Sequence, residues 1–145
     1  ISRGLVGSEM CIRDRYMLDF ATLTGAVVIT LGHIATGIMS NNETLVENIK
    51  VSSDNTGEHV WQLPLWDEYC DQVKSDIADV KNMGSTGQAG TIAGGAFLKA
   101  FVGKDIPWAH FDVAGTSYHV ENRSYIQKNS ASGQVIRLVL DMLGA

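Results

Sequence analysis

Two residues with metal-binding chemistry, His110 and Asp112, stand two positions apart in a short apolar run. Alternate residues of a β-strand point to the same face, so this spacing places the imidazole and the carboxylate side by side. Imidazole nitrogens and carboxylate oxygens bind divalent metal ions, and His119 is a further candidate ligand. Two interpretations stay open: part of a metal site, or a pair held by hydrogen bonds inside a sheet.

A glycine-rich segment at residues 84–90 reads G-S-T-G-Q-A-G and directly precedes a predicted helix. Backbone amides in such loops and at helix N-termini attract anions. A nucleotide-binding P-loop, however, needs the pattern G-x-x-x-x-G-K-[ST], and this segment contains no lysine. We therefore interpret it as a flexible loop on the substrate side of a site, or as a turn-rich connection.

No nucleophilic centre is complete in the sequence. The chain has no G-x-S-x-G motif, which marks the catalytic serine of many hydrolases. Cys70 lies beside Asp67, Glu68 and Asp71, and neighbouring negative charge disfavours the reactive thiolate. Because Cys11 is the only other cysteine, neither a disulfide framework nor a thiolate zinc site is indicated. Cys70 is predicted to be a buried free thiol.

The composition is that of one globular domain that binds neither nucleic acid nor membranes. The 145 residues are 45% hydrophobic and 19% charged, and the net charge is −5. Lysine and arginine residues are scattered singly, so no basic surface that could neutralise a row of phosphates is predicted. The longest apolar runs fall far short of the roughly 20 residues that a bilayer requires, and no signal-peptide pattern opens the chain. A cytoplasmic location is expected.

Short apolar segments alternate with helical patterns along the chain. Strands are predicted at residues 17–23, 36–40, 77–80 and 108–114. Helices are predicted at residues 26–31, after a cap at Asn41 or Asn42, at 66–73, after a cap at Thr91, and at 133–143. This alternation predicts an α/β fold in which a mostly parallel sheet carries helices on both faces.

The first 15 residues differ from the rest of the chain. They contain three of the five arginines and one of the two cysteines, and their apolar residues follow neither a helical nor a strand period. Residues 5–15 resemble translated sequencing-adapter read-through. We expect residues 1–15 to be a foreign leader, or alternatively a natural disordered extension, and in either case to carry no chemistry.

Three motifs follow one another in order: A-T-L-T-G-A at residues 21–26, A-D-V-K-N-M-G at 78–84 and W-A-H-F-D-V-A-G at 108–115. Together they resemble the C-terminal half of the catalytic domain in the leucyl aminopeptidase (cytosol aminopeptidase) family, and the resemblance extends over residues 18–143. It implies that residues 16–145 form the C-terminal part of an aminopeptidase catalytic domain, with a sheet that is incomplete at its N-terminal side.

The resemblance also implies an activity. Family members resemble two-metal exopeptidases that remove N-terminal residues, often leucine, from peptides and assemble as cytoplasmic homohexamers. A pair of divalent ions, zinc or manganese, can activate a bridging water and stabilise the oxyanion at the scissile carbonyl. The family's metal ligands end in an N-T-D-A-E-G-R motif just upstream of A-T-L-T-G-A, where this chain has residues 9–15 instead. By this comparison the chain supplies neither a metal ligand nor a catalytic residue.

Matched residue by residue, the motifs imply five substrate-binding positions: Thr22, Leu23, Gly25, Ala114 and Ser117. The main chain at Leu23 and Gly25 is expected to hydrogen-bond the peptide, and glycine at position 25 allows close approach of a backbone. Thr22, Ala114 and Ser117 are expected to line the pocket for the first side chain. Where relatives can carry methionine this chain has Ser117, so a strictly leucine-like preference does not follow.

Two interpretations of different class result. The first is a fragment of a two-metal aminopeptidase that lacks the metal ligands and is inactive alone. The alternative is a non-catalytic remnant that acts as a peptide-binding or oligomerisation module. An upstream reading frame that encodes N-T-D-A-E-G-R favours the first interpretation, and a genuine start codon favours the second.

Overall fold

The computed structural model describes residues 16–84, 87–117 and 130–144, so the predictions made for residues 1–15 and for His119 lie outside the described residues. Within these ranges the strands are β1 (Met17–Ala21), β2 (Thr36–Ser40), β3 (Val60–Gln62) and β4 (Trp108–Asp112). They form one sheet in the order β1-β4-β2-β3. The β1–β4 and β2–β3 pairs are parallel and the β2–β4 pair is antiparallel, which confirms the mostly parallel sheet.

The described helices are α1 (Gly25–Leu31), α2 (Glu43–Thr56), α3 (Asp67–Asp71), α4 (Gly90–Lys99) and α5 (Ile136–Met142). On one face of the sheet α1 and α4 pack closely at glycines. A β-carbon on Gly37 of β2 would lie 2.9 Å from Val27 Cγ2, and one on Gly95 of α4 would clash with Met39 Sδ. The other face is covered by α2 and α5, so helices lie on both faces as predicted. None of the described helices has both the length and the hydropathy that a bilayer crossing requires.

The central strand β4 divides the interior into two parts. All five of its residues are buried. Ala109 and Phe111 belong to the apolar core, which they share with β2, α2 and α5 through Ile38, Leu45, Val46, Ile49, Val135 and Leu138. Because side chains alternate along a strand, Trp108, His110 and Asp112 point to the opposite face, on the side of α1 and α4. The polar residues of β4 therefore share one face.

Local signals set both ends of the longest helix, α2. The Asn42 side chain accepts a hydrogen bond from the amide of Leu45 at 2.8 Å, which confirms one of the two caps predicted there. The helix ends at Thr56, and Gly57 follows it with a φ of +67°, a left-handed conformation that glycine adopts without steric cost. Between these ends Leu45, Val46 and Ile49 pack into the core.

The strand predicted at residues 77–80 is wrong. The Ser75 hydroxyl accepts hydrogen bonds from the amides of Ile77 and Ala78, so the chain bends locally. The Ile77 side chain is 98% exposed, and a strand here would have nothing to pack against. A short strand forms instead at β3, which the sequence pattern did not indicate and which is held by its parallel pairing with β2.

Two predicted helix starts also need correction. Thr91 is not a cap, because α4 begins at Gly90 with Ala89 in the cap position, and the Thr91 hydroxyl bonds elsewhere. The last helix begins at Ile136 rather than at residue 133. Gly133 and Val135 have φ values of +62° and +67°, which are incompatible with a right-handed helix.

One buried carboxylate ties the end of α2 to the start of α5. Glu58 is 2% exposed, and its Oε2 accepts a hydrogen bond from the amide of Leu138 at 3.0 Å. Its Oε1 lies 3.4 Å from Nη2 of Arg137. Both carboxylate oxygens therefore act as acceptors for groups of one helix.

We expect Glu58→Gln to lower the free energy of unfolding by about 1–3 kcal/mol, because the new amide group places a donor where the carboxylate accepts. Urea denaturation followed by tryptophan fluorescence measures the loss. Glu47→Gln, at an exposed position of α2, is the matched control and is expected to stay within about 0.5 kcal/mol of the parent protein. Equal stability of the two variants would contradict the prediction.

Candidate functional site

The carboxyl ends of β1 and β4 bring two of the sequence motifs side by side. The strands are parallel neighbours with Ala21 opposite Asp112, and the amide of Val113 donates to the carbonyl of Ala21 at 2.9 Å. Residues 22–24 and 113–117 therefore leave the sheet at the same edge, where α/β proteins commonly bind ligands. This edge carries all five predicted substrate-binding positions: Thr22, Leu23, Gly25, Ala114 and Ser117.

Asp112 is the polar centre of this edge. Its side chain is 0% exposed. Oδ1 accepts hydrogen bonds from the amides of Leu23 and Ala114, each at 3.2 Å, and Oδ2 accepts from the hydroxyl of Thr24 at 2.7 Å. One carboxylate thus binds both segments of the candidate site.

Thr24 extends this network to the helices. Its Oγ1 caps α1 by accepting the amide of Val27 at 3.3 Å, and it lies 3.1 Å from Oγ1 of Thr91 in α4. Because Thr24 donates its single hydroxyl proton to Asp112, Thr91 is the donor in the contact between the two threonines. A continuous chain of hydrogen bonds therefore runs from α4 through Thr24 to Asp112.

His110 has a different partner from Asp112, although the two side chains share a face. Its Nδ1 bonds Oδ1 of Asp19 in β1, and Trp108 Nε1 donates to the other oxygen of the same carboxylate. His110 is 0% exposed. Both side chains are held by hydrogen bonds inside the sheet, but the predicted pair is not formed, because each bonds its own neighbours.

The described residues do not fit a metal centre. Both oxygens of Asp112 are engaged by hydrogen-bond donors, whereas Nδ1 of His110 is held by Asp19 and its buried Nε2 has no hydrogen-bond partner among the described residues. In residues 16–84, 87–117 and 130–144 no group of three or more His, Cys, Asp and Glu side chains is arranged to hold a metal ion.

The loop at residues 22–25 has exposed residues and backbone groups that are available for hydrogen bonding. Thr22 and Gly25 are exposed, whereas Leu23 is half-buried. The amide of Leu23 is used by Asp112, but its carbonyl accepts no hydrogen bond from any described residue. Gly25 is the first residue of α1, where amides have no carbonyl partner within the helix. The loop therefore presents an acceptor and a donor two residues apart.

A groove of about 740 Å³ adjoins this loop between α1 and α4. Its apolar lining includes Leu23, Ile29, Leu63, Met83 and Phe97. The glycine-rich segment borders it through residues 84 and 87–90, while residues 85 and 86 lie outside the described part of the chain. Ala89 in this segment has a positive φ of 44°, a left-handed conformation that is uncommon for a residue with a β-carbon.

Cys70 belongs to α3 and is half-buried rather than fully buried as predicted. The ammonium group of Lys99 lies 3.6 Å from its Sγ. Nearby, an exposed ion pair joins Lys74 to Asp71 at 2.6 Å, and the hydrogen bond and charge of that carboxylate raise the pKa of Lys74.

Sequence reasoning missed three roles. Asp112 bonds the loop at residues 22–25, Thr24 links this carboxylate to α4, and Thr91 is the residue of α4 that contacts Thr24. A threonine directly before a helix is a cap signal, so Thr24 could have been found from its position before α1. No local signal connects Asp112 or Thr91 with Leu23 and Thr24, because the bonds join segments far apart in sequence.

The model of the catalytic domain of the cytosol aminopeptidase family matches residues 5–140 of the chain. This match includes part of the segment predicted to be a foreign leader.

Similar proteins carry the same description. A probable cytosol aminopeptidase of Geobacter sp. (strain M21) is 51% identical over 127 residues, which cover 88% of this chain and 25% of the relative. One from Protochlamydia amoebophila (strain UWE25) is 45% identical over 143 residues, 99% of this chain and 28% of the relative. A solved structure of a tomato leucine aminopeptidase mutant superimposes with a TM-score of 0.79 at 33% identity, covering 89% of this chain and 24% of that one. The chain thus spans about a quarter of the length of the relatives that it matches.

Proposed function

Because this chain belongs to the cytosol aminopeptidase family, we propose that it forms the substrate-binding side of an enzyme that hydrolyses N-terminal, leucine-like residues from peptides. The observation that carries the proposal is the meeting of two family motifs at one buried carboxylate, Asp112. The fold of this part is supported by the solved leucine aminopeptidase structure.

In this proposal two divalent metal ions, zinc or manganese, supply an activated water when bound to the complete enzyme. We propose that residues outside this chain hold them, as the family resemblance implies; among the described residues no group fits a metal site. The chain alone is then inactive. We further propose that the complete enzyme is a cytoplasmic homohexamer. The names of the relatives support the cytoplasmic location, and they do not describe an assembly.

The chain's own contribution is to bind and orient the peptide backbone. Since Asp112 occupies the amide of Leu23, the carbonyl of Leu23 is the group left to accept a hydrogen bond from the peptide. The amide of Gly25 is the corresponding donor. Two such groups, two residues apart, can pair with an amide and a carbonyl of a bound peptide.

The pocket for the first side chain of the peptide is proposed to lie between the two segments, at Thr22, Ala114 and Ser117. These side chains are small, and Asp112 holds their segments together. The hydroxyl groups of Thr22 and Ser117 add polar character to the pocket. A preference that extends beyond leucine to smaller and more polar side chains follows from this lining.

A chimera tests the proposal: residues 16–145 of this chain replace the corresponding part of the Geobacter sp. relative, and this protein is called the Geobacter chimera. We expect Gly25→Val in the chimera to lower kcat/KM for leucine peptides by about 10- to 100-fold, because a branched side chain blocks the approach of the peptide backbone. A β-carbon at position 25 meets nothing within 4 Å, so the melting temperature is expected to change little.

Gly25→Ala is the matched control and is expected to give an intermediate loss. Steady-state kinetics with a leucine chromophore and thermal melts of the three proteins make the comparison. If Gly25→Val has the same kcat/KM as the parent chimera, position 25 does not contact substrate.

A further inference from the structure

We propose that Asp112 is the positioning residue of the substrate-binding loop at residues 22–25, an inference that rests on the proposed function. Its carboxylate holds the carbonyl of Leu23 in the orientation that meets the peptide, and it fixes the distance between this loop and the pocket segment at Ala114. Asp112 itself does not contact substrate.

The first argument concerns the hydrogen bonds that stabilise the buried charge of Asp112. Asp112 is 0% exposed, and within the described residues no lysine, arginine or histidine forms an ion pair with it. Burying a carboxylate without a counter-charge is costly and requires hydrogen bonds from neutral donors. All three donors come from the candidate site: the amides of Leu23 and Ala114 and the hydroxyl of Thr24.

The second argument is the position of these bonds around one carbonyl. The Leu23 amide precedes the Leu23 carbonyl and Thr24 follows it, and both are bound to the same carboxylate. The peptide group before the carbonyl and the side chain of the residue after it are therefore both anchored by Asp112, which restricts the direction of the carbonyl.

The third argument is the support from α4. A β-carbon on Gly94 would lie 2.9 Å from Leu23 Cδ2 and 3.0 Å from Thr24 Cγ2, so the helix backs directly onto the loop. Thr91, one turn earlier in α4, bonds the Thr24 hydroxyl. The loop is thus held between a helix on one side and a carboxylate on the other, which is the kind of rigid support that substrate positioning requires.

The test compares variants of the Geobacter chimera. Asp112→Asn removes the charge, and Thr24→Val removes the linking hydroxyl with little change of shape. We expect each to lower kcat at saturating substrate by at least about 10-fold, because a misdirected carbonyl misaligns the bound peptide. Thr24→Ser keeps the hydroxyl and is expected to leave kcat within about 2-fold of the parent.

Glu58→Gln is the matched control for a purely structural role. Glu58 is also a buried carboxylate that accepts a backbone amide, but it lies at α5 on the other face of the sheet. We expect it to lower the melting temperature as Asp112→Asn does while kcat is unchanged. If Asp112→Asn and Thr24→Val leave kcat at the level of Glu58→Gln, the positioning role is wrong.

A second measurement needs no activity. In the 145-residue chain, hydrogen exchange of the Leu23 and Ala114 amides is expected to accelerate by at least about 10-fold more than that of the Leu138 amide in Asp112→Ala, and in Glu58→Gln the Leu138 amide is expected to respond most. Unchanged exchange at Leu23 and Ala114 would overturn the proposal. An inactive parent chimera would contradict the proposed function instead, and the exchange data would still decide whether Asp112 holds the loop.

Discussion

Replacing Gly115 with alanine is expected to lower the free energy of unfolding by more than about 3 kcal/mol. Gly115 is buried in the turn after β4, where a β-carbon would lie well under 3.0 Å from the carbonyl oxygen of Gly32. That oxygen belongs to the backbone at the end of α1 and cannot rotate away as a side chain can. The helix or the turn must therefore move.

The turn around Gly115 has little freedom to move. Its carbonyl accepts a hydrogen bond from Nδ1 of His33 at 2.6 Å, and the buried hydroxyl groups of Thr116 and Thr36 lie 2.8 Å apart. A shift of this turn breaks these bonds and also displaces Ala114 from the candidate site.

Urea denaturation followed by tryptophan fluorescence measures the loss, since Trp108 is 1% exposed and reports on the central strand. Gly25→Ala is the control, because a β-carbon there meets nothing within 4 Å and alanine favours a helix over glycine. We expect the control to be as stable as the parent or slightly more stable. A loss below about 1 kcal/mol for Gly115→Ala would show that the two backbones do not approach as closely as described.

The purified 145-residue chain is expected to retain no pair of divalent ions after dialysis and to release no chromophore from a leucine substrate. The Geobacter chimera is expected to retain the ions and to release the chromophore. Divalent ions need several converging oxygen or nitrogen donors, and the described residues provide no such group. The chimera is expected to exceed the isolated chain by at least about 1000-fold in rate, a modest part of the acceleration that enzymes achieve.

Metal analysis and chromophore release with added zinc or manganese test both halves of this prediction. The control is the matching segment of the Geobacter sp. relative, expressed without its upstream part and expected to be equally inactive. Two tightly held ions per 145-residue chain, or metal-dependent turnover by it, would show that the chain carries ligands outside the set described.

Local sequence determined the elements whose signals lie within a few residues of one another. The apolar run at β2 and the cap at Asn42 depend on neighbouring residues, and both are where the pattern predicts. The alternation of these elements also predicts the mostly parallel sheet with helices on both faces. The family resemblance added the motifs, since three ordered motifs are recognisable without any knowledge of contacts.

Tertiary structure alone decided the strand order and the hydrogen-bond partners of individual polar side chains. Residues 77–80 have a strand-like composition but no partner strand, whereas β3 exists because β2 lies beside it. Thr91 is of a residue type that commonly caps helices, but its hydroxyl bonds Thr24 across the interface between α1 and α4.

The candidate site shows the same division most clearly. Its residues can be chosen from the motifs, but only the parallel pairing of β1 and β4 brings Leu23 and Ala114 to one oxygen of Asp112. The requirement for glycine at position 115 likewise depends on the Gly32 carbonyl, which is distant in sequence. Sequence patterns report interactions between near neighbours along the chain, whereas these contacts join residues that only the packing of the sheet and its helices brings together.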